Sequence, residues 1–303
     1  MDMKNVKNVS YLQIDHKIVK ILKKEGIIIL PSSEAWEKFK WTRRYFGREK
    51  PKEGYFIWVT KQVNFPISTC VSIESKNVEQ NLKNLVVIEK GIKVKGYTLC
   101  SALSSKLQAK HFALGKVVLK ENSSYNLIST HVWGSKDEVY PSYEFILEKN
   151  AILNYKMKSL YPAKKFVSKN VFRLKENAKA ISEASIRAKN SFVKIYEITY
   201  LNGKNSNGIS KLRVVSQANS KVYGYTKMIA KEEAKGHLDC QGLIVDKNSK
   251  ISLIPALINS NKKAILTHEA SIGRISDEEL NYLMARGLKE DEAIELIVRG
   301  FLK

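Results

Sequence analysis

The chain has 303 residues, 44% hydrophobic and 27% charged, a balance that excludes a disordered polymer and suits one elongated domain or two ordinary ones. No run approaches the roughly 18 apolar residues of a membrane span, and the opening MDMKNVKNVSYLQ has no apolar signal core, so a cytoplasmic, non-membrane protein is expected. The net charge of +22 admits nucleic acid, an anionic membrane surface or an acidic protein partner; because the lysines are spread along the chain, a solvated basic surface is the plainest account and nucleic acid is not expected.

In chain order, Asp15 to Ile29 places Ile18, Val19, Ile21 and Leu22 on a helical face, before an apolar strand at GIIIL. Ser33 to Phe46 reads as an amphipathic helix with Trp36, Phe39 and Phe46 on one stripe and Gly47 as its stop. The interleaved Trp41, Arg43, Arg44, Tyr45 and Arg48 suit stacking against single-stranded nucleic acid, but such a stripe more commonly docks on its own core.

The middle of the chain repeats a short unit: an apolar strand, a polar turn with Gly or Asn at the sixth position, then an alternating strand. It reads VVIEKGIKV at Val86, VVLKENSSY at Val117, FILEKNAIL at Phe145, FRLKENAKA at Phe172, VVSQANSKV at Val214 and LIVDKNSKI at Leu243. The turn residues are Gly91, Asn122, Asn150, Asn177, Asn219 and Asn248, types that tolerate left-handed backbone. Most spacings run from 27 to 31; the exception, 42, contains the looser ITYLNGKNS at Ile198. One such unit cannot bury its apolar face, but stacked copies can, so the expected body is a β-helix, with a hairpin-built sandwich as the alternative.

Near the C-terminus Ser276 caps a helix and Glu279 completes a capping box; Leu280, Leu283 and Met284 form its buried stripe, and Gly287 ends it. A second helix carries Ile294, Ile297, Val298 and Phe301, and its start, LKEDE, lacks a good cap. The predicted organisation is an N-terminal α/β region at 1–65, a β-helix core at 66–266 and a C-terminal helical region at 267–303.

Three cysteines, Cys70, Cys100 and Cys240, without CxxC spacing, argue against a disulfide framework or a closed zinc site, and each reads first as a small buried residue. Two segments nevertheless gather potential ligands. In Gly236-His237-Leu238-Asp239-Cys240, a strand would place His237 and Asp239 on one face and Cys240 on the other. Thr267-His268-Glu269-Ala270 ends an apolar strand. Imidazole, carboxylate and thiolate together suit iron or zinc, and thiolate favours iron–sulfur chemistry.

The run from Cys240 through Pro255 to Thr267-His268-Glu269-Ala270-Ser271-Ile272-Gly273 resembles the C-terminal core of the SufB/SufD family. So does the continuation Ile275-Ser276-Asp277-Glu278-Glu279-Leu280, Tyr282-Leu283, Arg286-Gly287-Leu288, Glu292-Ala293 and Ile297-Val298-Arg299-Gly300-Phe301. The resemblance implies a mainly β fold, a right-handed parallel β-helix with a C-terminal helical region. It implies a non-catalytic scaffold for a transient iron–sulfur cluster. His-Glu-Ala, where SufD-like chains usually have His-Gly-Ala, and Cys240 lying 28 residues before His268, make the chain SufB-like. On this basis Cys240 is the expected sulfur acceptor and iron ligand, and Glu269 and His268 are further ligands; Asp239 and His237 are added from the local reading. Too few cysteines for four thiolates at one site point to mixed ligands or to two subunits, hence a homodimer in a reduced, archaeal-style system or a SufB–SufD-type heterodimer. The implied partners are a SufC-like ABC ATPase on the C-terminal helices, a sulfur donor and apo-protein acceptors. No Walker A loop occurs here, so ATP hydrolysis is assigned to the partner. A flavin is known in the wider system, but no residue pattern marks a flavin site. The rival expectations are a SufD-like structural subunit and a basic β-helical nucleic-acid binder; a carbohydrate enzyme would need a carboxylate pair that the chain does not offer.

Overall fold

A computed structural model describes residues 9–161 and 163–303. Strands of about ten residues alternate apolar-in and polar-out, and tight turns send the chain back and forth between two facing sheets. The N-terminal strands are β1 (Tyr11–Ile14), β2 (Lys17–Ile21), β3 (Ile27–Pro31), β4 (Tyr55–Val59) and β5 (Ile67–Ile73). Next come β6 (Glu79–Ile88), β7 (Lys93–Ala102), β8 (Lys110–Leu119), β9 (Ser124–Val132), β10 (Glu138–Leu147) and β11 (Ile152–Tyr161). The series closes with β12 (Lys165–Leu174), β13 (Lys179–Lys189), β14 (Phe192–Leu201), β15 (Ser206–Gln217), β16 (Lys221–Ala230), β17 (Ala234–Ile244), β18 (Lys250–Asn259) and β19 (Ile265–Arg274). The first sheet has the order β2-β1-β5-β7-β9-β11-β13-β15-β17-β19 and the second β3-β4-β6-β8-β10-β12-β14-β16-β18. From β5 and β6 onward every pairing within a sheet is parallel, one coil stacked on the next. This is the expected β-solenoid, and the chain is mainly β.

The repeat is visible as ladders. Val86 pairs with Val117, Val117 with Phe145 and Phe145 with Phe172, so each repeat start is the in-register neighbour of the last. Inside the coil Phe145 and Phe172 stack with centroids 4.8 Å apart, the offset ring geometry that contributes beyond area burial. At the turns, Gly91, Asn122, Asn150 and Asn177 all have positive φ. The Asn122 N–H donates to the Lys149 carbonyl and that of Asn150 to the Glu176 carbonyl, so the turns are hydrogen-bonded from coil to coil. The Asn150 amide also donates to Asn122 Oδ1 at 2.8 Å, an asparagine ladder.

The irregular spacing of 42 has a geometric cause. Phe172 lies in the second sheet, whereas Val214 and Leu243 lie in the first, so the repeat starts shift by half a coil there. Val214 pairs with Gly242, and Leu243 with Val215, so these two starts are offset by one residue. The true successor of Phe172 is Thr199, inside the looser segment. Asn248 does not take up positive φ; Asp246 instead builds that turn by accepting the Asn248 and Ser249 N–H groups.

The N-terminal segment corrects the predicted helix at Asp15–Ile29. Asp15, at φ 50°, turns the chain so that β2 folds back antiparallel on β1, and the Asp15 carboxylate accepts the Glu74 and Ser75 N–H groups. Ile18 and Val19 fall on opposite sides of this edge strand and both are exposed. β-Branched residues suit that extended conformation, and a four-residue apolar cluster alone does not distinguish it from a helix. The GIIIL strand is present as β3.

The helix predicted for Ser33–Phe46 is three pieces: α1 (Ser32–Lys38), a 3₁₀ turn at Lys40–Thr42 and α2 (Arg43–Phe46). Phe39 leaves helical geometry at φ −119°, ψ 92°. That break lets Phe39 and Trp41 face the same strand, with centroids 5.5 Å and 5.2 Å from Trp58; in a continuous helix residues two apart point in different directions. The aromatic stripe is thus docked on its own core, around Phe46 and Phe56, and Gly47 stops it at φ 98°.

At the other end, α3 (Asp277–Ala285) has both bonds of the predicted capping box, and Gly287 follows at φ 96°. Its expected buried stripe is not buried: Met284 and Tyr282 are exposed and Leu280 and Leu283 only half-buried. The docking is done by α4 (Glu290–Phe301), whose Val298 packs with Val215 and Leu243 on the outer face of the first sheet. Glu292 accepts the Lys289 N–H at 2.9 Å, half of a capping box that lysine cannot complete.

Candidate functional site

Parallel register decides which of the singled-out side chains meet. β17 pairs with β19, Leu238 opposite His268, Asp239 opposite Glu269 and Cys240 opposite Ala270. Alternation then sorts them: Cys240 and His268 belong to the interior side, His237, Asp239 and Glu269 to the exterior side. The sequence-based assignment of faces within β17 is therefore correct.

Cys240 is buried, with its Sγ 3.2 Å from the Thr226 hydroxyl. Burial pushes its thiol up from the ordinary range, and the nearby Glu197 and Asp239 carboxylates act in the same direction. Thr226 is the register neighbour of Glu197, a carboxyl buried in the coil interior that accepts hydrogen bonds from Ser182 at 3.0 Å and from Ser210. Desolvation pushes Glu197 up to about 7 despite those bonds. Cys240 thus sits beside a buried polar cluster of Thr226, Glu197, Ser182 and Ser210. Cys100 is buried and Cys70 half-buried, with no disulfide, as small packed residues; burial pushes the Cys100 thiol up to about 12.

On the exterior side, His237 Nδ1 lies 2.8 Å from Thr267 Oγ1, and its Nε2 lies 3.6 Å from Glu269 Oε1. Asp239 is engaged differently: Arg213 holds it through both guanidinium nitrogens, one at 2.9 Å, in a bidentate pair. Arg213, Thr226, Thr267 and Glu197 escaped the sequence reading. Their partners lie 13 to 30 residues away along the chain, and only coil stacking makes them neighbours.

The last coil is open. β18 and β19 are terminal in their sheets, so each presents one unpaired backbone edge, and the interior-side Ile272 and His268 are exposed there. Cys240 lies one strand in from this end, beside the small Ala270. Among the described residues no three His, Cys, Asp or Glu side chains converge to hold a metal ion, so one copy brings Cys240 and His268 near one opening and His237 and Glu269 to its outer rim without closing a ligand set. Among those residues no helix is long and apolar enough to cross a membrane.

Residues 71–301 match the family model described as the SUF system FeS cluster assembly, SufBD core domain. The chain is 28% identical over 320 residues to an iron–sulfur cluster assembly SufBD family protein homologue of Methanothermobacter thermautotrophicus (strain Winter), covering 97% of this chain and 77% of that protein. A SufBD family protein of Archaeoglobus fulgidus is 29% identical over 299 residues, 92% of this chain and 80% of its own length. One from Pyrococcus horikoshii is 33% identical over 247 residues, 78% and 73% of the two chains. With the solenoid, its helical tail and nearly the whole length matched, the chain belongs to the SufBD family of iron–sulfur cluster assembly proteins.

Proposed function

We propose that this protein is a SufB-like scaffold on which a nascent iron–sulfur cluster, its cargo, is assembled between two copies of the chain in the cytoplasm. The observation that carries the reading is the open terminal coil: two unpaired strand edges and an exposed apolar rim adjoin Cys240, His268, His237 and Glu269. Unpaired edges are templates for another chain, and a two-fold copy would double the nearby ligands. Asp239, held by Arg213, anchors the strand in this reading more than it serves as a ligand.

Cys240 is the sulfur acceptor: its thiolate attacks the outer sulfur of a donor persulfide, becomes a persulfide itself, and the donor leaves as a thiolate. The buried, protonated thiol resists that step until the terminal coil is displaced and hydrated. A SufC-like ABC ATPase docked on the C-terminal helices supplies the displacement, and the uncovered Tyr282 and Met284 on α3 offer it an apolar contact. Apo-protein acceptors then take the finished cluster.

The test is anaerobic reconstitution with iron and sulfide, followed by visible absorption and hydrodynamic size, for the wild type, Cys240→Ser and Glu269→Ala. A dimer whose charge-transfer absorption is lost in both variants supports the reading. Burial of Cys240 favours one competitor, a SufD-like structural subunit; a wild type that stays colourless would favour it instead, and variants that colour as the wild type does would remove Cys240 and Glu269 from the cluster site.

A further inference from the structure

The outer face of the second sheet changes character along the solenoid. On β10 it still carries Glu138 and Glu144. On β12, β14, β16 and β18 no outward position is acidic, whereas Lys169, Lys194, Lys221, Lys227 and Lys250 all point outward. None of these five lysines has a carboxylate partner among the described residues; the nearest outward guanidinium, Arg173, is taken by Glu144 at 2.6 Å. Tyrosines lie between the lysines: Tyr196 and Tyr223 are 36% and 44% exposed, and Tyr225 is half-buried beside them. The hydroxyls of these three have no hydrogen-bond partner among the described residues. Toward the open end the face becomes apolar, with Ile254 and Ile258 exposed.

We propose that this face is a docking surface for a protein partner that presents a flat, carboxylate-rich patch. Four strands of ten residues span roughly 20 Å by 33 Å, on the order of 600 Å² in projection, which approaches one side of an ordinary protein interface. Unpaired ammonium groups attract carboxylates and raise the encounter rate. Phenol hydroxyls donate to the same carboxylates, tyrosine is favoured in interface centres, and the isoleucines supply apolar area. Single-stranded nucleic acid fits less well because the rings are already used. Lys194 lies over both Phe192 and Tyr223, at 5.3 Å and 5.7 Å from their centroids, and Tyr196 and Tyr225 tilt against one another at 58°. Neither the Phe192–Tyr223 pair nor the Tyr196–Tyr225 pair presents parallel faces to successive bases. The surface lies on the other sheet from Cys240, His237 and Glu269 and shares only β18 with the open coil, so the lysine variants leave the cluster-site residues untouched.

The experiment uses the whole protein and two labelled probes, poly(L-glutamate) and an oligouridylate, read by fluorescence anisotropy at several salt concentrations. The face variant is Lys169→Glu/Lys194→Glu/Lys227→Glu. The control, Lys95→Glu/Lys158→Glu/Lys179→Glu, changes the same charge at exposed positions on the first sheet, and circular dichroism melts check that both fold. The expected result is a loss of about tenfold or more in polyglutamate affinity for the face variant and about threefold or less for the control. Equal losses in the two variants, or no polyglutamate binding by the wild type, would overturn the proposal. So would tighter binding of the oligouridylate that is lost in Tyr196→Ala/Tyr223→Ala, which would assign the face to nucleic acid.

Discussion

Glu197 shows how a solenoid interior treats an ionisable group. Its carboxyl is sealed inside the coil with two serine hydroxyls as hydrogen-bond donors, and desolvation raises it from 4.5 to about 7. A folded-state value above the unfolded one means that the native state binds more protons between about pH 4.5 and 7, so this group's contribution to stability falls as pH rises through that window. His111 and His131 act in the opposite sense. Burial lowers them to about 3 and about 4, so their contribution grows as pH rises toward 6.5 and the two effects partly cancel in the wild type. Glu197→Gln isolates one of them. Denaturant melts at pH 5 and pH 7 should show the variant gaining on the wild type by roughly 2 to 3 kcal/mol more at pH 7 than at pH 5. An equal offset at both values would mean that burial does not raise Glu197 above its unfolded value.

At the scale of elements, the two C-terminal helices have different tasks. α4 is fastened to the solenoid: Val298 is buried against Val215 and Leu243, and Arg187 donates to both Glu295 carboxylate oxygens, at 3.1 Å and 2.7 Å. Val298→Ala removes two buried methyl groups and should cost about 1 to 3 kcal/mol, concentrated in α4. Hydrogen exchange would show α4 amides opening faster while those of β11 to β15 keep their protection; uniform loss throughout the chain would contradict local docking. α3 carries a legible capping box but buries none of its residues. Sequence periodicity finds an apolar stripe without saying what covers it, which is why the helix is legible in the sequence and its exposure is not. Phe39 teaches the same lesson, because contacts with Trp58 and Phe56 overrode the helical continuity of Ser33–Phe46.

For the whole molecule, the decisive feature is that the solenoid's two ends differ. At the N-terminal end the terminal strands fold back antiparallel, β2 on β1 and β3 on β4. The C-terminal end stops on two parallel strands with one open edge each. If two copies join there, Ile272, 45% exposed on the interior side of the last strand, lies in the contact, and Ile272→Lys should convert a dimer to a monomer in sedimentation velocity with little change in the monomer's melting. A wild type that sediments as a monomer throughout the micromolar range would remove the dimer from the proposed function.

The sequence by itself determined the repeating coil, its turn residues except Asn248, and the faces of His237, Asp239 and Cys240, because strand alternation and the left-handed turn preference of Gly and Asn are local properties. The motif-bearing last quarter of the chain also carried the family resemblance. Only the tertiary structure decided that Phe172 is followed in its ladder by Thr199, that Arg213 takes the Asp239 carboxylate, that Thr226 and Glu197 form the surroundings of Cys240, and that the final coil is left open. Each of these depends on which coil lies beside which, and the in-register partner of a residue is set by the length of the intervening turns and the sheet it falls in, quantities that no short segment contains.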